Sequence, residues 1–176
     1  RMIAQYGAKH TDKISVTDIS EHNYHLKALL GLREKLVSQK AGYTASLNEQ
    51  KKFMTSLKSS SLIKSQQLMM RTLEREIKKV ENEIREILES DESTKKNVEL
   101  LTSVVGIGFV IAASMIMWTD NFSKFSSARK FACYCGIAPF EYASGTSVKR
   151  RTKVSQLANK RAKSLLDLGA KSAIIH

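Results

Sequence analysis

A single proline, Pro139, stands in 176 residues. Proline removes a backbone donor and breaks helices from within, so a chain almost free of it can run long helices without interruption. At 42% hydrophobic residues the chain is also too apolar to be a disordered, low-complexity sequence. The fold class expected is all-α: a long helical hairpin or coiled-coil arm, followed by a small helical domain with a helix-hairpin-helix element.

The apolar spacing gives the arm. From Thr17, a candidate N-cap, Ile19, Leu26, Leu29, Leu30, Leu36, Val37, Tyr43, Leu47 and Met54 recur at helical intervals. The serine-rich cluster from Lys58 to Ser61 reads as a turn. Gln66, Met70, Leu73, Ile77, Val80, Ile84 and Ile87 then advance by alternating steps of four and three, a heptad seam of about three repeats. The mixed charges from Glu74 to Glu86 read as a solvated face. The seam can be buried against the preceding helix or against a second copy of the chain, and spacing does not choose between them. The register breaks between Asp91 and Thr94. Three parts follow: a lead-in over 1–14, the arm over 15–94 and a helical domain over 95–176.

Charge is not shared evenly among these parts. Of the net +12, residues 121–176 carry eleven Lys or Arg against Glu141 and Asp167, which leaves +9 there. A surface this basic seeks a polyanion, and nucleic acid is the leading candidate. No apolar run approaches the roughly 18 residues that span a bilayer, and the N-terminus lacks a signal-peptide pattern, so a cytoplasmic location is expected. Cys133 and Cys135 lie two apart on a helical stretch, where side chains diverge, and make neither a disulfide framework nor a zinc site. His10, His22, His25 and His176 show no metal spacing. No metal or other cofactor is expected within the chain.

Two stretches of the basic part invite chemistry. Val105-Gly106-Ile107-Gly108 reads as a tight turn between helices, in which Gly106 and Gly108 let the backbone approach a phosphate that the next helix N-terminus can hold. The helix from Phe109 to Trp118 reads as core. Phe122, Phe125, Phe131 and Tyr134 close a small core around a helix starting near Ser126 or Ser127. Then comes Ser144-Gly145, followed by Lys149, Arg150, Arg151 and Lys153. On residue types alone this is a phosphate-binding loop, with Tyr142, Ser147 and Ser155 as further hydroxyls. Ser155 reads as the cap of a last helix over 156–175, with Leu157, Leu165, Leu168 and Ile174 inward.

Taken in order, Val105-Gly106-Ile107-Gly108, Phe125-Ser126-Ser127-Ala128-Arg129, Cys135-Gly136-Ile137-Ala138-Pro139, Ser144-Gly145 and Ser155-Gln156-Leu157-Ala158-Asn159-Lys160 to Leu165 resemble the C-terminal domain of a transposase family. This is the family of serine-type insertion-sequence transposases related to the pilin-inversion DNA invertase, which includes recombinases guided by a bridge RNA. The resemblance covers roughly 98–175. It departs from the family at Val105, where a proline is frequent, and at Lys163, where arginine is common.

The resemblance implies DNA as partner, leaves a guide RNA open as another, and makes Ser144 the nucleophile that becomes joined to a DNA phosphate. Gly106, Gly108, Gly145, Lys149, Arg150, Arg151, Lys153, Asn159 and Lys160 would then contact DNA, while the seam from Gln66 to Ile87 motivates association of copies through the coiled-coil arm. Ile3-Ala4-Gln5-Tyr6-Gly7 is similar to the end of the family's N-terminal resolvase-like domain, of ribonuclease-H type. That domain's metal-binding carboxylates, with Mg2+, would lie upstream of Arg1, and the 176-residue chain by itself would not cleave. The alternative is a non-enzymatic nucleic-acid-binding and oligomerisation module.

Overall fold

Leu26, Leu29, Leu30 and Leu47 on one helix and Ile63, Leu73, Val80, Ile84 and Leu88 on the next are all buried. The helices are α2 (Glu21–Phe53) and α3 (Ser61–Glu89). They run antiparallel, as the contact His25–Glu83 at 3.1 Å and the ion pairs Arg33–Glu81 and Lys40–Glu74 at 2.7 and 2.9 Å show. The computed structural model describes residues 2–9, 21–53, 61–144 and 148–175, with the backbone alone at 2–4, 53, 140–144 and 148–150. Thr17, Ile19, Met54 and the expected turn residues 58–60 lie outside the described residues, as do His10 and His176.

The heptad seam therefore closes within the chain, against α2. Exposed ion pairs contribute only ~0–1 kcal/mol each, so the apolar seam, not the charges, holds the arm together. The charged face is nevertheless less idle than its sequence suggests, because Glu74, Glu81 and Glu83 all reach across to α2. The hydrogen bond from Lys40 holds the Glu74 carboxyl below its usual range. Towards the far end of the arm the seam turns polar, and the Oε1 atoms of Gln50 and Gln66 are buried without a partner.

After α3 the chain turns through Ser90. Asp91 caps α4 (Glu92–Thr102), accepting from the Thr94 amide and hydroxyl at 2.8 Å each. The Thr94 hydroxyl, and then its amide, hold the Asp91 carboxyl below its usual value. The break in register is thus a helix start, three residues ahead of the boundary expected at 94.

The turn Ser103–Gly108 leads into α5 (Phe109–Thr119), the most buried helix, with Ile111, Ala112, Ala113, Ser114, Ile116, Trp118 and Thr119 all inside. Ala113 and Ile116 join Leu26, Leu29, Leu30, Val80, Ile84 and Leu88 in one cluster, with Val98 and Leu101 of α4 packed against it. Arg85 of α3 lies 4.0 Å over the Phe109 ring. The base of the arm and the C-terminal body share this core.

At the end of α5, Asp120, Asn121 and Phe122 take positive φ angles of 50°, 51° and 67° in succession. Left-handed backbone costs roughly 1–2 kcal/mol per non-glycine residue, and side chains from two other elements offset it here. Asn23 of α2 donates to Asp120 Oδ1 at 2.9 Å, Asn97 of α4 donates to the side-chain Oδ1 of Asn121 at 2.8 Å, and Asn121 Nδ2 donates to the Ser93 hydroxyl at 3.3 Å.

Next come α6 (Ala128–Cys135), two antiparallel strands, β1 (Phe140–Ser144) and β2 (Val148–Lys153), and finally α7 (Lys160–Ile175). A short helix, α1 (Met2–Lys9), precedes the arm. The class is all-α, as expected, and the strand pair is the departure from it. Among the described residues no helix is long and apolar enough to cross a membrane.

Ile84 is fully buried in the seam, so Ile84→Ala should cost about 2–5 kcal/mol of stability. Because the partner helix is α2, charged residues at Ile77 and Ile84 should unfold the arm at every protein concentration, as followed by circular dichroism. A folded monomer produced from a larger assembly would contradict the intrachain seam.

Candidate nucleic-acid interface

The stretch read as a loop is a β-hairpin. Register sets Phe140 opposite Lys153, Tyr142 opposite Arg150, Ala143 opposite Lys149 and Ser144 opposite Val148, with an irregularity between Phe140 and Tyr142. Ser144 is thus the last residue of β1, at the turn end of the hairpin. Gly145 and Ser147 lie outside the described residues. Lys149, Arg150, Arg151 and Lys153 all belong to β2, where Arg151 and Lys153 are exposed.

The root of the hairpin is fixed by a joint between α6 and α7. Ser127 caps α6, accepting from Lys130 N, and the helix stops at Gly136 with φ 69°. A Cβ on Gly136 would lie 2.6 Å from the Ala158 Cβ, so only glycine lets the two ends of the hairpin approach so closely. Beside it the Asn159 amide donates to the Tyr134 carbonyl at 2.8 Å, and Asn159 Nδ2 donates to the Tyr134 hydroxyl at 2.8 Å. Asn159 Oδ1 accepts from the Arg161 and Ala162 amides, both at 3.1 Å.

Asn159, expected on DNA, is therefore the cap of α7 and the clamp of the root. The helix begins at Lys160, not after Ser155; Ser155 holds only a short turn by accepting from Leu157 N at 3.2 Å. With the start moved, Leu157, Leu168 and Ile174 are exposed at 97%, 64% and 85%, contrary to the inward placement expected of them. Leu165 does pack inward, beside Trp118, Cys135 and Ala162. Lys160, the first residue of α7, is exposed.

The two glycines of the Gly-x-Gly turn part company. Gly106 has φ 87°, and a Cβ there would lie 2.2 Å from the Gly169 carbonyl oxygen and 3.0 Å from Ala173. Its close approach is to α7 of its own chain. Gly169 is nine residues beyond Lys160, or about 14 Å along the helix at 1.5 Å per residue, so the turn lies well away from the hairpin root. Gly108, the N-cap of α5, is exposed and has nothing within 4 Å of its Cβ position. It leaves the first amides of α5 accessible.

Burial pushes the Cys135 thiol up to about 11, so Cys135 is no nucleophile near neutral pH. A cavity of about 480 Å3 lies between α2, the α3–α4 corner and the end of α5, lined by His22, Leu26, Leu88, Asp91 and Asp120 among others. None of the sequence-derived site residues lines it.

The body so built sets helices around a basic hairpin with a serine at the end of its first strand. Residues 98–176 match the model of the Transposase IS116/IS110/IS902 family. The match takes in the Gly-x-Gly turn, α5, α6, the hairpin and α7, and it supports an insertion-sequence transposase. No curated protein matches the chain.

Gly106→Ala should cost about 2 kcal/mol or more, through backbone strain and the clash with Gly169, whereas Gly108→Ala should be nearly neutral in thermal melts. Equal losses at the two positions would contradict the placement of Gly106 against α7. Cys135 should resist alkylation at pH 8 until the protein unfolds; labelling of the native protein at the rate of a free thiol would contradict its burial.

Proposed function

We propose that the chain is the DNA-handling part of a serine-type transposase, related to the pilin-inversion DNA invertase, in which Ser144 is the nucleophile. The observation that carries this reading is the hairpin, which sets Ser144 at the end of one strand and four cations within the six residues of the other. Attack by Oγ forms an O–P bond as one strand P–O bond breaks, leaving a phosphoserine link and a strand end whose oxygen takes a proton. Cations close by stabilise the charge that builds on the phosphoryl oxygens.

An unassisted hydroxyl is a weak nucleophile and needs a base or metal beside it. Magnesium prefers oxygen ligands, carboxylates above all, and Glu141 is the only acid within twenty residues of Ser144 on either side. The segment around Ser144 therefore does not fit a Mg2+ site of its own. On this reading the acceptor of the serine proton belongs to the carboxylate domain implied upstream, and the 176-residue chain binds DNA without cutting it.

DNA binding rests on Lys149, Arg150, Arg151, Lys153 and Lys160, with Gly108 at the open amides of α5 as a separate contact and a guide RNA as a further partner of the same basic body. Association of copies, with the seam closed inside the chain, falls to the outer face of the arm, where Leu32 and Val37 of α2 and Leu62, Leu68 and Met69 of α3 are exposed. The protein acts on DNA in the cytoplasm.

In the protein joined to its resolvase-like domain, Ser144→Ala should abolish the covalent protein–DNA adduct on denaturing gels while changing DNA affinity less than about twofold, since phosphate contacts dominate such binding. Ser144→Cys should keep part of the activity. An undiminished adduct from Ser144→Ala would sink the assignment and move attention to Tyr142. Salt-sensitive binding with no adduct from the unmodified protein would favour the non-enzymatic module.

A further inference from the structure

Three cations outside the hairpin have no carboxylate beside them among the described residues. Lys124, Arg129 and Lys130 are exposed on and just before α6, and no acid occurs from Asn121 to Phe140. Among the described residues, Lys124, Arg129 and Lys130 have no carboxylate within 4 Å, and the same holds for Arg151, Lys153 and Lys160 towards the hairpin. Like charges left together and unneutralised weaken the folded state. A bound polyanion would relieve that repulsion.

Their position is set by packing. The left-handed turn at Asp120–Phe122 brings the chain out of the core, and Phe125 folds back so that its ring lies 5.4 Å from that of Phe131 and 5.3 Å from that of Tyr134. Lys124 is thereby held with Nζ 5.9 Å over the Tyr134 ring. The hydroxyl of that same ring accepts from Asn159, the neighbour of Lys160. Direct contacts thus run from Lys124 through Tyr134 and Asn159 to Lys160 at the hairpin root, and from there the backbone leads back to Lys153 and Arg151 of β2.

We propose that the DNA track does not end with the hairpin but crosses the Tyr134–Asn159 joint onto α6, where Lys124, Arg129 and Lys130 hold phosphates of the same duplex. This rests on the DNA-binding reading above and extends its footprint. Recognition here is of the backbone. Among the described side chains around α6, the rings of Phe125, Phe131 and Tyr134 pack on one another and Phe122, 45% exposed, is the open ring, fewer than the row of stacking platforms that unpaired bases use. The contacts should be indifferent to sequence and strongly dependent on salt.

The test compares two triple variants of the full chain, Lys124→Ala/Arg129→Ala/Lys130→Ala and Lys149→Ala/Arg150→Ala/Arg151→Ala, by fluorescence anisotropy on random-sequence duplexes of increasing length across a salt series. Thermal melts confirm that each variant folds. The α6 variant should lose about tenfold in affinity at 0.15 M salt on long duplexes and flatten the plot of log K against log salt by about two to three units. On the shortest duplex that still binds the hairpin it should match the unmodified protein.

If the α6 variant keeps its affinity and slope at every length while the hairpin variant loses both, the extension is wrong and the DNA-binding hairpin stands. If the α6 variant is impaired and the hairpin variant is not, α6 is a DNA surface in its own right: the continuous track and the assigned hairpin surface are both overturned. A loss seen only with single strands, or only with structured RNA, overturns the duplex assignment.

Discussion

The insertion of Ala113 and Ile116 between the leucines of α2 and the Ile84–Leu88 turn of α3 is the contact on which the rest of the molecule depends. A two-helix arm by itself buries one narrow seam. Adding α5 converts that seam, at its base, into a three-sided core. Small Ala113 lets the helices approach, and Ile116 fills the space between them. Apolar burial contributes about 25 cal/mol per Å2, so a shared core ties arm and body far more firmly than the ion pairs on its surface. Everything that positions the hairpin is then hung from α5, with Trp118 and Met117 reaching the second cluster beneath α6 and α7.

Much of this was legible in the sequence, because the signals are local. Steps of three and four residues identified α2 and α3, unbroken apolar character marked α5 as core, and the pair Ser126-Ser127 marked the start of α6, which Ser127 caps. Direction was not legible. A heptad seam has the same spacing whether its partner is the preceding helix or another chain, and only the buried pairing of Leu26–Leu30 with Ile84–Leu88 decides. Even so, the charges that looked like an idle solvated face turned out to include the residues that bridge the two helices.

The candidate site was legible in its residue types and illegible in its architecture. Val148 to Lys153 has one apolar residue and no alternation, so nothing in it signals a strand; its pairing with Phe140–Ser144 supplies the structure that its own pattern lacks. Gly106 was recognisable as a residue needing room, but what occupies that room, Gly169, is contributed by the last helix. Asn159 entered the candidate set only through the family resemblance, and nothing in its own surroundings in the sequence announced that its side chain would bond Tyr134 and the first amides of α7. Three successive left-handed residues, only two of them Asx, could not have been foreseen, because the groups that stabilise them lie on α2 and α4.

Arg161, one residue beyond Lys160, forms an ion pair with Glu34 of α2, and Arg33 beside it is bound to Glu81. The start of α7, which carries the hairpin root, is therefore latched to the arm close to the base of the arm. Beyond Glu34, α2 runs on to Phe53, about 28 Å at 1.5 Å per residue, so the latch sits near the fulcrum of a lever. A tilt of about five degrees there carries the far end about 2.5 Å. Whatever grips the end of the arm thus works with mechanical advantage on the joint that holds the hairpin, and in reverse a small resettling of the hairpin is displayed, enlarged, at the other end of the molecule.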